Sequence, residues 1–101
     1  MLEAAFSTKV LKKLRAEIGG SWRKNPVSKF GSSGIGDIVG CVKGRYVEIE
    51  LKAPGKYRHP LVGCSDLQLA HGKEVMDNGG VWICEDNLNE LLELLSQALH
   101  L

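Results

Sequence analysis

Apolar residues recur at helical spacing in three segments of the chain. In residues 2–18 they stand four positions apart, and a pair of glycines follows as a stop signal. Residues 65–78 open with Ser65 and end before a second pair of glycines, and a leucine-rich stripe follows Asn87. The pattern predicts three helices, the last of them packed on a sheet.

Between residues 37 and 52 the spacing changes to a period of two, which predicts a β-hairpin. Lys43-Gly44 is its expected loop, because glycine adopts the positive φ that two-residue loops require. Paired residues share one face of a sheet. Counting outward from the loop pairs Val42 with Arg45, Cys41 with Tyr46, Val39 with Glu48 and Asp37 with Glu50.

The remaining strand signals are shorter. Residues 38–42 form a nearly continuous apolar run, which is typical of a central strand buried on both faces. Residues 81–84 are apolar and bounded by turn signals, and they predict another strand. Residues 21–35 contain several breakers, so we expect a substrate-facing loop with one short strand at most.

The order helix, hairpin, helix, strand, helix predicts an α/β domain with a small mixed β-sheet and flanking helices. Its second half contains a β-α-β crossover, which is expected to be right-handed. A chain of 101 residues is long enough for one domain, residues 1–101. No apolar run approaches the ~20 residues of a membrane span, and no signal peptide is evident. We expect a soluble cytoplasmic protein without a membrane partner.

The predicted hairpin brings charged side chains together. Alternation places Tyr46, Glu48, Glu50 and Lys52 on one face, with Asp37 opposite Glu50. Opposed carboxylates repel unless a cation lies between them, and a divalent ion such as Mg²⁺ would resolve the conflict. Lys52 would then lie beside a metal-bound water. The alternative is a solvated acidic face with an incidental lysine.

Several of these residues, in this order along the chain, resemble the motifs of a known family. The chain has Gly36-Asp37-Ile38-Val39-Gly40, Tyr46-Val47-Glu48-Ile49-Glu50-Leu51-Lys52-Ala53-Pro54-Gly55, then Gln68, then Asn78-Gly79-Gly80-Val81. The ordered set resembles the VRR-NUC branch of the PD-(D/E)XK nuclease superfamily, over most of the chain from about Trp22 onward. One departure is Gly36, because the family usually has proline immediately before its aspartate. The resemblance implies the restriction-endonuclease-like core for the fold.

The resemblance also implies a catalytic site. Asp37, Glu50 and the Leu51 carbonyl would bind Mg²⁺ or Mn²⁺, and Lys52 would assist the attacking water. Glu3, on the first helix, is a candidate further ligand. Its alternative is a first-turn glutamate favoured by the helix dipole.

Gln68 and its neighbours have competing roles. In the family a glutamine at this point lies near the metal, but Ser65 and Gln68 also fit a capping box. The two roles are expected to exclude each other, and the site role is preferred. Glu48 is either an additional ligand or a surface residue. His71, one turn later, could share the face of Gln68, but a role in packing or at the surface is expected.

Charge is unevenly distributed along the chain. Residues 1–73 hold all 13 Lys and Arg with 6 acids, and residues 74–101 hold the other 6 acids. This polarity favours a polyanionic substrate on one side of the fold. The expected DNA contacts are Arg23, Lys24, Lys29, Lys56 and Arg58. Trp22 is expected in the core, and His59 in a solvated loop.

The three cysteines have no Cys-x-x-Cys spacing, which makes a zinc site or disulfide framework improbable. Cys41 and Cys84 lie in apolar strands and are expected to be buried thiols.

The sequence therefore predicts a Mg²⁺- or Mn²⁺-dependent DNA endonuclease. A domain of this size has little surface for reading bases, so cleavage selective for flaps, nicks or Holliday-type junctions is expected. A symmetrical junction would call for a homodimer. The alternative is a DNA-binding module that kept the fold and does not cut.

Overall fold

The computed structural model describes residues 2–25, 36–52 and 64–101, with side chains from Ala5 onward. The described part contains three helices and four strands, so the predicted α/β class is confirmed. The elements in chain order are α1 (Leu2–Lys13), a π-helical turn (Leu14–Ile18), β1 (Ser21–Lys24), β2 (Ile38–Val42), β3 (Arg45–Leu51), α2 (Asp66–Asp77), β4 (Val81–Glu85) and α3 (Leu88–Leu99).

The strands form one mixed sheet in the order β1-β2-β3-β4. The pairs β1–β2 and β2–β3 are antiparallel. The pair β3–β4 is parallel, and its two strands are joined by the crossover that contains α2. The predicted hairpin register is confirmed from Val42–Arg45 to Val39–Glu48. Lys43 and Gly44 both have positive φ, 49° and 85°, as the twist of a tight two-residue hairpin requires.

One face of the sheet carries the hydrophobic core. Because alternate residues point to opposite faces, the central part of β3 presents Val47 and Ile49 here. Helices α1 and α3 cover this face with buried leucines that include Leu11 and Leu91. Trp22 joins the core from β1, as predicted. The described elements thus share a single core.

The opposite face carries the charged residues and is covered by α2. Register places Glu48 beside Trp82 and Glu50 beside Cys84 on this face. Gly72 lets the helix approach closely, since a Cβ there would lie 2.5 Å from the Trp82 ring. The approach of α2 to β3 and β4 therefore determines how deeply the acidic residues are buried.

The prediction that β2 is buried on both faces is wrong, and so is the prediction of a buried Cys41. Cys41 is exposed, and its partner Tyr46 is 46% exposed. The reason is position, because α2 packs over β3 and β4 while this pair lies at the hairpin end. The prediction of a buried Cys84 is confirmed.

The predicted helix ends are confirmed. The first helix stops at Gly19, with φ of 81°. Ser65 caps α2, and Asn87 caps α3 through a side-chain bond to the Glu90 N–H. In the described ranges, no helix has the length and apolar character needed to cross a membrane.

Candidate functional site

The site is built around the end of β3, where Glu50 and Lys52 point to the same face. Glu50 is only 6% exposed, and its Oε2 lies 3.4 Å from the Lys52 Nζ. The Lys52 side chain remains 20% exposed. Its backbone N–H donates to the Glu85 carbonyl at 3.0 Å, which continues the pairing with β4. The predicted convergence of carboxylate and ammonium is confirmed, and the acidic face is buried rather than solvated.

Asp37 enters the site from the residue before β2. It lies outside the ladder, and its Oδ2 accepts from the Leu51 N–H at 2.8 Å. The carboxyl groups of Asp37 and Glu50 lie within hydrogen-bonding reach of each other. Asn25 secures this segment, because its backbone N–H donates to the Asp37 carbonyl at 2.8 Å and its side chain to the Gly36 carbonyl at 3.1 Å. Asn25 was not predicted as a site residue.

Gln68 links the site to α2. Its Nε2 donates to Glu50 Oε2 at 2.9 Å, and its Oε1 accepts from Lys52 Nζ at 3.0 Å. The same Oε1 accepts from the Ser65 N–H at 2.9 Å, which completes the capping box. The expectation that the two roles exclude each other is therefore wrong. An amide oxygen has two lone pairs, so one side chain serves the cap and the site together.

The electrostatics of Glu50 follow from this arrangement. Burial and the neighbouring Asp37 charge raise the pKa of its carboxyl and Lys52 lowers it, and the net result is a pKa of about 7. Near neutral pH the Glu50 carboxyl is therefore present in both its protonated and its ionised form. A cation placed between Glu50 and Asp37 would favour the ionised form.

Glu48 is more deeply buried than Glu50, at 1% exposure, and is not a surface residue. Its Oε2 accepts from the Gly36 N–H at 3.1 Å. Its Oε1 accepts from the Tyr46 hydroxyl and lies 2.8 Å from His71 Nε2. Burial and the adjacent Glu48 charge raise the pKa of the Tyr46 phenol, so it stays protonated and donates. Glu48 thus fixes the backbone immediately before Asp37.

Tyr46 and His71 were not predicted to belong to this network. The sequence pattern does place both on this face. Tyr46 has the same strand alternation as Glu48 and Glu50, and His71 lies one helical turn after Gln68.

The surroundings of Gly36 explain why this position holds glycine rather than the proline of the resembling family. A Cβ there would lie 2.8 Å from the Ile49 carbonyl oxygen, and the Gly36 N–H is the donor to Glu48. Proline has a ring where glycine has none and lacks the N–H. The buried Glu48 therefore makes glycine the residue that fits here.

The structure places two of the predicted DNA contacts, Arg23 and Lys24, on opposite faces of the sheet. Arg23 pairs with Val39, on the face of Glu48, and its charge acts on the Tyr46 phenol. Lys24 points to the other face, where its Nζ donates to Thr8 Oγ1 at 2.9 Å. Lys24 is therefore not beside the carboxylates. Three predicted contacts and one loop histidine lie outside the described residues: Lys29, Lys56, Arg58 and His59. Glu3 belongs to α1, but its side chain is also outside the described part.

Two thiols lie next to the carboxylates. Cys84 pairs with Glu50 in the sheet register and is in hydrogen-bonding contact with Cys64. Burial raises the pKa of both thiols, so they stay protonated.

The oxygen donors fit Mg²⁺ or Mn²⁺. Among the described residues, no group of three or more His, Cys, Asp and Glu side chains could hold a metal ion by itself. Mg²⁺ commonly uses one or two carboxylates and takes its other ligands from water and substrate phosphate, and Mn²⁺ favours similar ligands. Asp37 and Glu50 would provide this pair.

No protein-family model, no curated protein and no solved structure matches the chain. The VRR-NUC resemblance therefore stays a prediction from the motif residues, and the functional argument rests on the site itself.

Proposed function

We propose that this protein is a metal-dependent DNA endonuclease of the VRR-NUC type, with a PD-(D/E)XK core. The observation that carries the proposal is the buried Glu50, held against Asp37 and bridged to Lys52 by Gln68. Placing the buried Glu50 carboxylate against the half-buried Asp37 is unfavourable without compensating charge, so the cluster has the character of a cation site.

Asp37 and Glu50 would hold Mg²⁺ or Mn²⁺ together with the Leu51 carbonyl, and Glu3 is the candidate for a further ligand. The ion would activate a water and stabilise the charge that develops on the phosphate. The Leu51 N–H fixes the Asp37 carboxylate, and Gln68 fixes that of Glu50. The ligands are thus oriented by the fold before any substrate arrives.

Lys52 is the residue that would act on the reacting groups. Its ammonium is held by Gln68 Oε1 and Glu50 Oε2, and part of the side chain reaches solvent. An ammonium has three donors, so one remains for an attacking water or a phosphate oxygen. Lys52 would orient the nucleophile or neutralise charge in the transition state.

The substrate class follows from charge. The positive part of the chain contains the site, and the acidic residues beyond Lys73 balance it elsewhere in sequence. Arg23 lies on the face of the carboxylates and is available to a phosphate. We infer cleavage selected by DNA shape, at flaps, nicks or junctions, by a cytoplasmic enzyme. A symmetrical junction would be cut by a homodimer.

The proposal is tested by incubating labelled single-stranded, duplex, flap and four-way-junction DNAs with the protein in Mg²⁺, Mn²⁺ or EDTA. Cleavage with either metal, absent in EDTA and in Asp37→Asn, is the expected result. Binding without cleavage of any DNA, unaffected by metal and by Asp37→Asn, would instead support the non-cleaving DNA-binding module.

A further inference from the structure

A basic groove lies on the side of the sheet opposite the carboxylates. It has a volume of about 600 Å³ and runs between α1 and the edge strand β1. The lining side chains are Thr8, Leu11, Lys12, Arg15, Ala16 and Lys24. Half of these residues are cationic, and none is acidic.

Two hydrogen bonds hold cations of the groove in place. The Lys24 Nζ donates to Thr8 Oγ1 at 2.9 Å, from strand to helix. The Arg15 Nη2 donates to the Trp22 carbonyl at 2.9 Å, from helix to strand. These bonds use one donor of each side chain, and both groups have further N–H donors. The groove is thus prearranged to bind an acceptor.

The positive charge of the groove is not neutralised locally. Within the described part of the chain, none of its three cations forms an ion pair with a carboxylate. The neighbouring Glu17 pairs instead with Lys13 at 3.0 Å. Like charges gathered without counter-charge attract an anion.

The character of the groove indicates which anion. Among the described residues that line the groove, the apolar ones are Leu11 and Ala16, and they offer no aromatic ring on which an unpaired base could stack. Cations with a hydroxyl are the usual contacts of the sugar–phosphate backbone. Three cations in one groove favour a ligand with several phosphates.

We propose that this groove is a second DNA-binding site, which holds the backbone of a duplex arm away from the scissile phosphate. The identity of the ligand rests on the proposed function. Neighbouring residues of β1 connect the two sites, because Arg23 faces the carboxylates and Lys24 faces the groove. An arm leaving the catalytic face around this edge of the sheet meets cations on both sides.

The test is duplex binding in EDTA, measured by fluorescence anisotropy over a range of salt concentrations. The groove variant is Lys12→Gln with Lys24→Gln. The matched control is Lys43→Gln with Lys73→Gln, which removes the same charge from exposed positions outside the groove. Lys12→Gln alone serves as a second variant, since Lys12 is exposed and makes no bond to Thr8. Thermal unfolding checks that each variant is folded.

We expect the groove variant to bind duplex roughly tenfold more weakly, with a salt slope lower by about 1.8, because each lost phosphate contact contributes about 0.9. Lys12→Gln should show about half the change in slope, and the control should match wild type. Equal effects in groove and control variants, or none in either, would overturn the second site. So would a change in oligomeric state without loss of DNA binding, since the groove would then hold the acidic part of another copy.

This result is separate from the nuclease test. Groove-dependent binding by a protein that cuts no DNA would refute the catalytic proposal and keep the second site. Metal-dependent cutting by the wild type, with unchanged DNA binding by the groove variant, would support the catalytic proposal and refute the second site.

Discussion

Glu48 and Glu50 are two residues apart on β3 and face the same helix, yet their surroundings differ. Glu48 accepts from a backbone N–H, a phenol and an imidazole, so its buried oxygens are satisfied by the protein. Glu50 is placed against another carboxyl group, and burial raises its pKa to about 7. The first carboxylate therefore supports the site, and the second is available to a cation.

The raised pKa of Glu50 predicts a pH dependence of stability. The pKa is about 7 in the folded protein against an ordinary value of 4.5, so the native state holds a proton that the unfolded chain releases between these values. The contribution to stability is complete below pH 4.5 and is lost as the pH rises through 7. In EDTA, the stability of Glu50→Gln relative to wild type should rise by on the order of 3 kcal/mol between acidic and alkaline pH.

Urea unfolding of wild type and Glu50→Gln at several pH values measures this difference directly. In the difference between the two unfolding free energies, the contributions of all other titratable groups cancel. A stability difference that does not change between acidic and alkaline pH would show that Glu50 is not the titrating group.

Gly36 gives a second prediction at the residue scale. In Gly36→Ala the new Cβ would press on the Ile49 carbonyl, which belongs to the sheet and cannot move freely. We expect a loss of about 1 to 3 kcal/mol in the free energy of unfolding. Gly36→Pro should cost more, because it also removes the donor to Glu48. Thermal or urea unfolding measures both, and a Gly36→Pro protein as stable as wild type would contradict the explanation.

Elements were predictable where short-range rules decide them. The Lys43-Gly44 loop determined the hairpin register by counting, and the Ser65 cap marked the start of α2. The burial of the charged face was not predictable in this way. Alternation tells which residues share a face, but Gly72 and Trp82, distant in sequence, decide how closely a helix covers it.

The double role of Gln68 is tested at the level of α2. Gln68→Ala removes its capping bond and its bonds to Glu50 and Lys52. We expect about 1 kcal/mol less stability, as for loss of a cap, together with a large drop in cleavage. Asn87→Ala is the matched control, because it removes the cap of α3, away from the site. It should cost similar stability and leave cleavage unchanged, whereas equal cleavage by both variants would reduce Gln68 to a capping residue.

For the molecule as a whole, the sequence showed that positive charge is concentrated before residue 74. It did not show that this charge is divided between two faces. Adjacent residues of a strand point to opposite faces, so Arg23 and Lys24 had to separate once they formed β1. The division became visible only with the strand assigned, and it produces a face with the carboxylates and a basic groove on opposite sides of one sheet.

The most direct test of the account is the rate of Mg²⁺-dependent cleavage by Lys52→Ala, measured under single-turnover conditions on the DNA that wild type cuts best. Lys43→Ala, at the exposed hairpin turn, is the matched control for charge. The account predicts that Lys52→Ala slows cleavage by about 10²- to 10³-fold, as for loss of a positioned transition-state donor, with folding and DNA binding retained. A Lys52→Ala protein that cuts as fast as the control would contradict the proposed catalytic site.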